Sequence, residues 1–371
     1  MARRSSRSTD SALRDDRRRA SIPRRRSLRA LLAVGAGLAC GNRTLRARER
    51  AAATLTDDAR RSVALASSPE RVFPAGPPAS VFVYCLAPHK LLGWSRRVRE
   101  DEAAFLLPDA AARPELGRLT GRGSTAALEA LLAMRTQLIV DVGSVAPTYV
   151  SLADQVQQQT GVPYLLFDGA FDRTEQTIRS LGRALGVTAR AESLARGVHA
   201  ILDSAAEMRA RVPEGERARV YFARGGHDGL ATAAAGALNA EVLDVVGAVN
   251  VARVEAPNLA RVSLEQVLAW RPQWILASEA SFAAQLADHP VWSRLDAVRA
   301  GRVLRIPRLP FGWFDAPPAL NRLVGVVWLS AVFHPGRVGY RLDERIAEVF
   351  EWLYHRRPTL AQVRGLLDGA R

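Results

Sequence analysis

The sequence predicts an α/β protein: two lobes with mainly parallel sheets, joined by one long α-helix. Three observations carry this. Short apolar runs alternate with helix-spaced segments from about residue 60, and the alternation restarts after residue 215. A helix-then-strand phrase occurs twice, 136 positions apart. Between the halves runs a long helical stretch with few turn residues. With 371 residues the chain has room for two ordinary domains, and its 48% hydrophobic and 24% charged content reads as globular.

The amino-terminal tail accounts for most of the charge. Residues 1–50 hold 15 Arg against four acidic residues, so +11 of the formal +15 belongs there and only +4 to the rest. A nucleic-acid surface is therefore not expected. Within the tail, "RRRASIPRRRSLR" is a basic region and "ALLAVGAGLA" (30–39) a ten-residue apolar core, followed by Cys40. That core is too short to span a bilayer, which takes about 20 residues, and the arrangement is that of an export signal. Arg25-Arg26-Ser27-Leu28 resembles a twin-arginine signal, and the weakly hydrophobic core suits that route. "GLAC" makes Cys40 a candidate lipidation site, although Gly37 stands where leucine is usual; cleavage after Ala51-Ala52-Ala53 is the alternative. Residues 1–55 are thus assigned to signal and linker. The mature protein is expected in the periplasm or on the outer face of the cytoplasmic membrane, touching the membrane only through a lipid anchor. With Cys40 lipidated or removed, Cys85 stands alone and no disulfide forms within the chain.

The first lobe is expected over 56–187. "SVFVYCLA" (80–87), "TQLIVDVG" (136–143) and "VPYLLFDG" (162–169) read as strands, which makes Cys85 a buried filler; "TAALEALLAM" and "TYVSLADQVQQQTG" read as helices. Residues 188–212 form the connecting helix. Leu194, Val198, Ile201, Ala205 and Met208 keep helical spacing, with Gly197 the one weak point. Its length of about 37 Å, at 1.5 Å per residue, describes a strut rather than a hinge. The second lobe, 213–371, opens with the strand "RARVYFARGG" (217–226), continues through "SLEQVLAWRP" and "QWILAS" (273–278), and reaches a further strand, "GRVLRIP" (301–307).

The repeated phrase is "ALEALLAMRTQLIV" (127–140) and "SLEQVLAWRPQWIL" (263–276). Over 126–140 and 262–276 seven residues are identical: Leu128/Leu264, Glu129/Glu265, Leu132/Leu268, Ala133/Ala269, Arg135/Arg271, Gln137/Gln273 and Ile139/Ile275. Most follow the apolar spacing of any helix-strand unit. The Glu pair does not, because core packing asks for no carboxylate there. A purely local reading is a first-turn carboxylate favoured by the helix dipole, with Ser263 and Gln266 as a capping box.

Taken together, the export signal, the two lobes on one long helix and this repeated phrase resemble the periplasmic-binding family for iron chelates and vitamin B12, the substrate-binding proteins of ABC importers. "GRLTGRGSTAALEALLAMRTQLIVDVGSVAPTYVSLADQV", "GVPYLLFDG" and "GRVLRIPRLPFGWFDAPPALNRLVGVVWLSAVFHP" are similar to its metal-chelate receptor branch, and the resemblance covers roughly residues 70–355. Thr136, Gln137 and Gln273 depart from the family's usual Pro and Asp at the helix-to-strand turn. The resemblance implies a class III periplasmic-binding fold and a non-catalytic, monomeric receptor without a cofactor. It implies two partners, an ABC permease dimer with its ATPase and a small-molecule metal chelate. It also implies that Glu129 and Glu265, one per lobe, dock onto arginines of the permease. A ferric siderophore is the foremost ligand class; haem, cobalamin and molybdate-type oxyanions are the alternatives.

Ligands of such sheets bind at the strands' carboxyl ends, which makes the loops leaving strands the candidate site. Arg122, Ser144 and Tyr149 are candidates on the first lobe, and Arg224, His227 and Asp228 in "ARGGHDG" on the second. Arginines from both sides suit an anionic chelate. Trp313 and Phe314 in "PFGWFDAPP" lie on a proline-stiffened turn and are candidate aromatic contacts, one of the two rings being expected to anchor the loop; Asn321 and Arg322 are expected to support it. Of six His only His89 and His227 fall on cleft loops, too few for a bare metal ion, which leaves His227 as a single candidate iron ligand. A chelatase-like enzyme is the rival of another class, but the chain contains no G-x-S-x-G, H-E-x-x-H or Walker motif.

Overall fold

The computed structural model describes residues 53–65, 68–120, 124–126, 128–255 and 259–370. An antiparallel hairpin, β1 (Ala53–Thr56) and β2 (Ser62–Leu65), precedes β3 (Val72–Pro74) and α1 (Pro77–Leu86). After the short helices α2 (Glu100–Ala103) and α3 (Pro108–Ala111) come α4 (Leu128–Ala133), β4 (Leu138–Gly143), α5 (Pro147–Thr160) and β5 (Tyr164–Asp168). The first sheet is parallel with the order β3-β4-β5. Two helices, α6 (Thr174–Ala184) and the 23-residue α7 (Thr188–Ala210), lead to the second lobe. There β6 (Arg219–Ala223), β7 (Ala231–Ala233), α8 (Glu241–Val245), β8 (Val249–Asn250) and β9 (Leu259–Arg261) are followed by α9 (Leu264–Trp270) and β10 (Trp274–Ala277). Helices α10 (Ala280–Gln285) and α11 (Asp296–Arg299), then β11 (Val303–Arg305), complete a parallel sheet ordered β11-β10-β6-β8, beside an antiparallel β7-β9 ribbon. The chain ends in α12 (Arg322–Phe333), α13 (Leu342–Tyr354) and α14 (Leu360–Asp368).

The two-lobe α/β architecture with its long helix is as expected, with one element changed in kind. Residues 80–87, read as a strand, form most of α1. Every residue from Ala79 to Leu86 is buried, so no polar face marks the helical period and the β-branched and aromatic composition imitates a strand. Pro77 and Pro78 occupy the first turn, where the missing N–H groups cost nothing. Cys85 is buried, on a helix. The strand that precedes it, β3, is only three residues long and ends in proline.

The linker assigned up to residue 55 overlaps β1. The turn of this hairpin closes the open edge of the first sheet, which would otherwise present unpaired strand groups. Asp57 accepts from the Leu166 amide at 3.1 Å, and the Asp58 amide donates to the Leu166 carbonyl at 3.1 Å. Asp58 also accepts from the Asp168 amide at 3.0 Å.

Helix α7 buries its expected stripe, Leu194, Val198, Ile201, Ala205 and Met208. Gly197 is no weakness: a Cβ there would lie 2.2 Å from the Trp352 ring, so glycine admits the ring of α13. The end of α13, assigned by sequence to the second lobe, also packs on α1 of the first. Tyr84 donates to the Tyr354 carbonyl at 2.7 Å, and Arg190 of α7 donates to the carbonyls of Cys85 at 3.0 Å and Trp352 at 2.5 Å.

Candidate functional site

The repeated phrase is one device built twice. Helix α4 runs into β4, which pairs with β3; α9 runs into β10, which pairs with β6. Arg135 and Arg271 turn the chain from helix to strand in the left-handed region, at φ of 50° and 46°. Two residues later Gln137 donates its amide to the Arg71 carbonyl at 2.9 Å, and its side-chain oxygen accepts from the amides of Glu70 at 2.7 Å and Arg71 at 3.1 Å. Gln273 repeats this on Arg219, at 2.8 Å and 3.1 Å. The arginine held in each case reaches back to the last turn of the helix. Arg71 donates to the Met134 carbonyl and Arg219 to the Trp270 carbonyl, both at 2.7 Å. Ile139 and Ile275 are fully buried. Packing and the latch thus explain the identities at Arg, Gln and Ile.

Among the polar identities the Glu pair is left over. Glu129 and Glu265 are both exposed in the first turn of their helices. Ser263 and Gln266 do form the capping box, with bonds of 3.3 Å and 2.8 Å. The Glu265 carboxyl is held below the usual carboxylate range by its own backbone N–H and by the Ser263 hydroxyl.

Loops of the two lobes meet. The Trp94 ring of the first lobe lies 5.8 Å from Phe311 of the second. A crevice of about 30 Å³ separates Pro77, Ser80, Trp94 and Arg96 from Phe311 and Pro317. Behind it, Arg322 is fully buried, with its guanidinium 2.8 Å from Glu241, 2.5 Å from the Gly169 carbonyl and 4.0 Å from the Phe171 ring centre. Glu241 in turn accepts from the Phe171 amide at 2.9 Å. A charged clasp therefore holds the loop after β5 against the second lobe.

Of the candidates at this cleft, Arg224 follows β6 with its guanidinium 3.0 Å from buried Asp315. Ser144 is exposed and accepts from the Ala146 amide at 3.2 Å at the entrance to α5; Tyr149 is half-buried in the first turn of that helix. His227 is exposed and its carbonyl accepts from Gln285. Asp228 is drawn into its own loop: it accepts from the Leu230 amide at 3.0 Å and pairs with Arg261, and the amide bond is the main cause of its lowered pKa. Arg122 and Cys40 lie outside the described residues. Among the described residues no three His, Cys, Asp or Glu side chains converge to hold a metal ion.

Neither Trp313 nor Phe314 displays a ring. Both are 0% exposed, so the expectation of an aromatic face from these two is corrected. Trp313 stacks edge-on against Trp328 and Phe350 and donates to the Leu309 carbonyl at 2.9 Å, while Phe314 lies 4.6 Å from Phe222. Gly325 of α12 makes this possible, since a Cβ there would lie 1.8 Å from the Trp313 carbonyl. Asn321 supports the loop as expected, donating to the Pro317 carbonyl at 2.8 Å. Phe311 of the same loop, itself buried, packs against Trp94 and lines the crevice. Sequence reasoning also missed Trp94, Asp315, Asn239 and Ser278; the Ser278 amide donates to the Ala223 carbonyl at 2.9 Å, and its buried hydroxyl has no hydrogen-bond partner among the described residues.

Known proteins share this architecture. A solute-binding protein of an ABC transporter from Sulfurospirillum deleyianum superposes with a TM-score of 0.78 at 24% identity, over 85% of this chain and 99% of that one. The molybdate-bound structure of MolA from Haemophilus influenzae superposes with a TM-score of 0.69 at 18% identity, over 83% and 99%. These likenesses show the fold. In sequence, the molybdate-binding protein MolA is 25% identical over 187 residues, which span 49% of this chain and about half, 52%, of that protein. Residues 108–309, running from α3 to the loop that leaves β11, match a family described as periplasmic binding protein, and the chain belongs to that family.

Proposed function

We propose that this protein is the exported receptor of an ABC importer, and that it captures a small anionic metal complex between its lobes and delivers it to the permease. The observation that carries this is the contact between loops of the two lobes at Trp94 and Phe311, with Arg224, ion-paired to buried Asp315, where the chain leaves β6. The crevice of about 30 Å³ and the buried Trp313 and Phe314 favour a ligand of few atoms, in the class of metal oxyanions or compact chelates. The Trp94–Phe311 pair favours a second reading, a ferric siderophore with apolar or aromatic arms, for which the lobes must part further. Such a receptor is a carrier and turns nothing over; the metal complex is its cargo.

The test is titration of the mature protein with molybdate, ferric citrate, a ferric catecholate, haem and cobalamin, read by calorimetry and absorption. A one-to-one complex with a single class supports the reading and selects the ligand. Silence across the panel overturns it, and chemical conversion of a bound chelate overturns it in favour of the enzyme.

Docking rests on the exposed pair. Glu129 and Glu265 stand on equivalent first turns of a doubled unit, which suits a two-fold partner carrying cations. Reversing both charges, Glu129→Arg with Glu265→Arg, leaves ligand affinity unchanged and abolishes uptake; normal uptake by the double variant would refute the docking role.

A further inference from the structure

The charges behind the cleft are arranged around one carboxylate. Asp315 is 4% exposed, and its Oδ2 takes both the Arg224 guanidinium at 3.0 Å and the Asn239 amide nitrogen at 3.1 Å. It follows directly on Trp313 and Phe314, whose packed rings leave it no freedom to follow a ligand. Arg224 is held at its other end as well: its backbone exchanges two hydrogen bonds with Ala231, at 2.7 Å and 2.8 Å. Its side chain keeps 22% of its surface exposed while its Nη1 faces the Asp315 carboxylate, so part of the guanidinium stays accessible with its charge already paired. An unanchored arginine must give up its rotamer freedom each time it binds, whereas a planar guanidinium held in place has already done so. Asp228 and Glu279, on neighbouring cleft loops, are further carboxylates open to a guanidinium that loses its anchor; at present they pair with Arg261 and Arg308.

We propose that Asp315 is the positioning residue that fixes Arg224 as the anion-reading cation of the cleft, an inference that rests on the ligand contact proposed for Arg224. Asp315 is too deeply buried to meet the ligand and acts only through the guanidinium. Removing its charge has two opposed effects: it makes the cleft more positive, and it releases Arg224. The geometry points to release as the larger, because the anchoring oxygen lies behind the cation rather than beside the ligand.

The experiment uses the full mature chain and three variants: Asp315→Asn, Arg224→Gln and both together. Calorimetry with molybdate and ferric citrate gives affinities, and side-chain ¹⁵N NMR follows the Arg224 Nη–H signal, assigned by its loss in the Gln variant. In the wild type that signal is dispersed and slow to exchange; in Asp315→Asn it collapses. Arg224→Gln weakens anion binding roughly tenfold or more, as expected for a lost charged hydrogen bond. Asp315→Asn weakens it about fivefold to tenfold, and the double variant binds no worse than Arg224→Gln alone. Unchanged or tighter binding in Asp315→Asn overturns the proposal, as does an unchanged Nη–H signal or strictly additive losses in the double variant. Wild-type affinity in Arg224→Gln overturns the ligand contact itself, whatever Asp315→Asn shows.

Discussion

Replacing Lys90 by arginine is predicted to destabilise the fold, although 51 of the 52 basic side chains in this sequence are already arginine. Lys90 is the only lysine, and it is buried. Its ammonium lies within reach of four oxygens: the Ser68 hydroxyl at 2.8 Å, the Glu70 carboxylate at 2.9 Å, and the carbonyls of Leu185 at 2.9 Å and Pro69 at 3.1 Å. Together these tie the approach to β3 to the end of α6. A compact point charge satisfies converging acceptors from one position; a planar guanidinium is larger and directs its donors outward in a fork. Overpacking a filled site costs about 1–3 kcal/mol, and each misdirected bond to a charged donor adds about 1.5–3 kcal/mol. Because Glu70 stays largely solvated, one lost bond plus the volume term is the fair sum, near 3 kcal/mol. For a chain of this size that lowers Tm by roughly 4–5 °C, measurable by calorimetry and by urea denaturation. Lys90→Met, which keeps the stem and drops the charge, separates lost bonds from excess volume. A Lys90→Arg protein melting within a degree of wild type would show that the four oxygens do not require an ammonium.

Three further outcomes follow from contacts described above. Glu241→Ala leaves the buried Arg322 guanidinium without its counter-charge and should cost about 3 kcal/mol in urea denaturation; adding Arg322→Met should recover part of that loss, and failure to recover any would deny that the clasp is electrostatic. Gln137→Ala strips two backbone amides of their acceptor and Gln273→Ala one, so the first should cost about 1–2 kcal/mol and the second about half as much; equal losses would contradict the latch. Trp313→Phe should lower stability by about 2 kcal/mol through the space it leaves while ligand affinity stays within twofold of wild type; a large affinity loss at unchanged stability would return that ring to the cleft.

How far the sequence reveals this molecule depends on whether a feature is local. The stripe of α7 repeats with the helical period and is legible without any partner. Its apparent defect at Gly197 is not, because the ring that needs the space comes from Trp352, 155 positions later. The doubled unit was visible as seven identities, yet their meanings differ. Arg135 and Arg271 share a left-handed turn, Gln137 and Gln273 share a latch onto a neighbouring strand, and the exposed Glu pair has neither role. Those roles depend on Arg71 and Arg219, which lie outside the repeated phrase. The loop at 307–318 shows the limit most sharply. Its prolines announce a stiff turn, but no periodicity assigns faces in an irregular segment, so which ring faces the ligand is decided by what packs behind it. The cue was a glycine inside a helix, Gly325, where close approach of another backbone is the usual reason for the residue. Read that way, Gly325 places the Trp313 backbone against α12, sends both rings inward and leaves Phe311 to face Trp94. The same holds for Arg224: its partner Asp315 lies in that irregular loop, 91 positions away and buried behind it, so the pairing is set by the packing of the loop and has no periodic signal in the sequence.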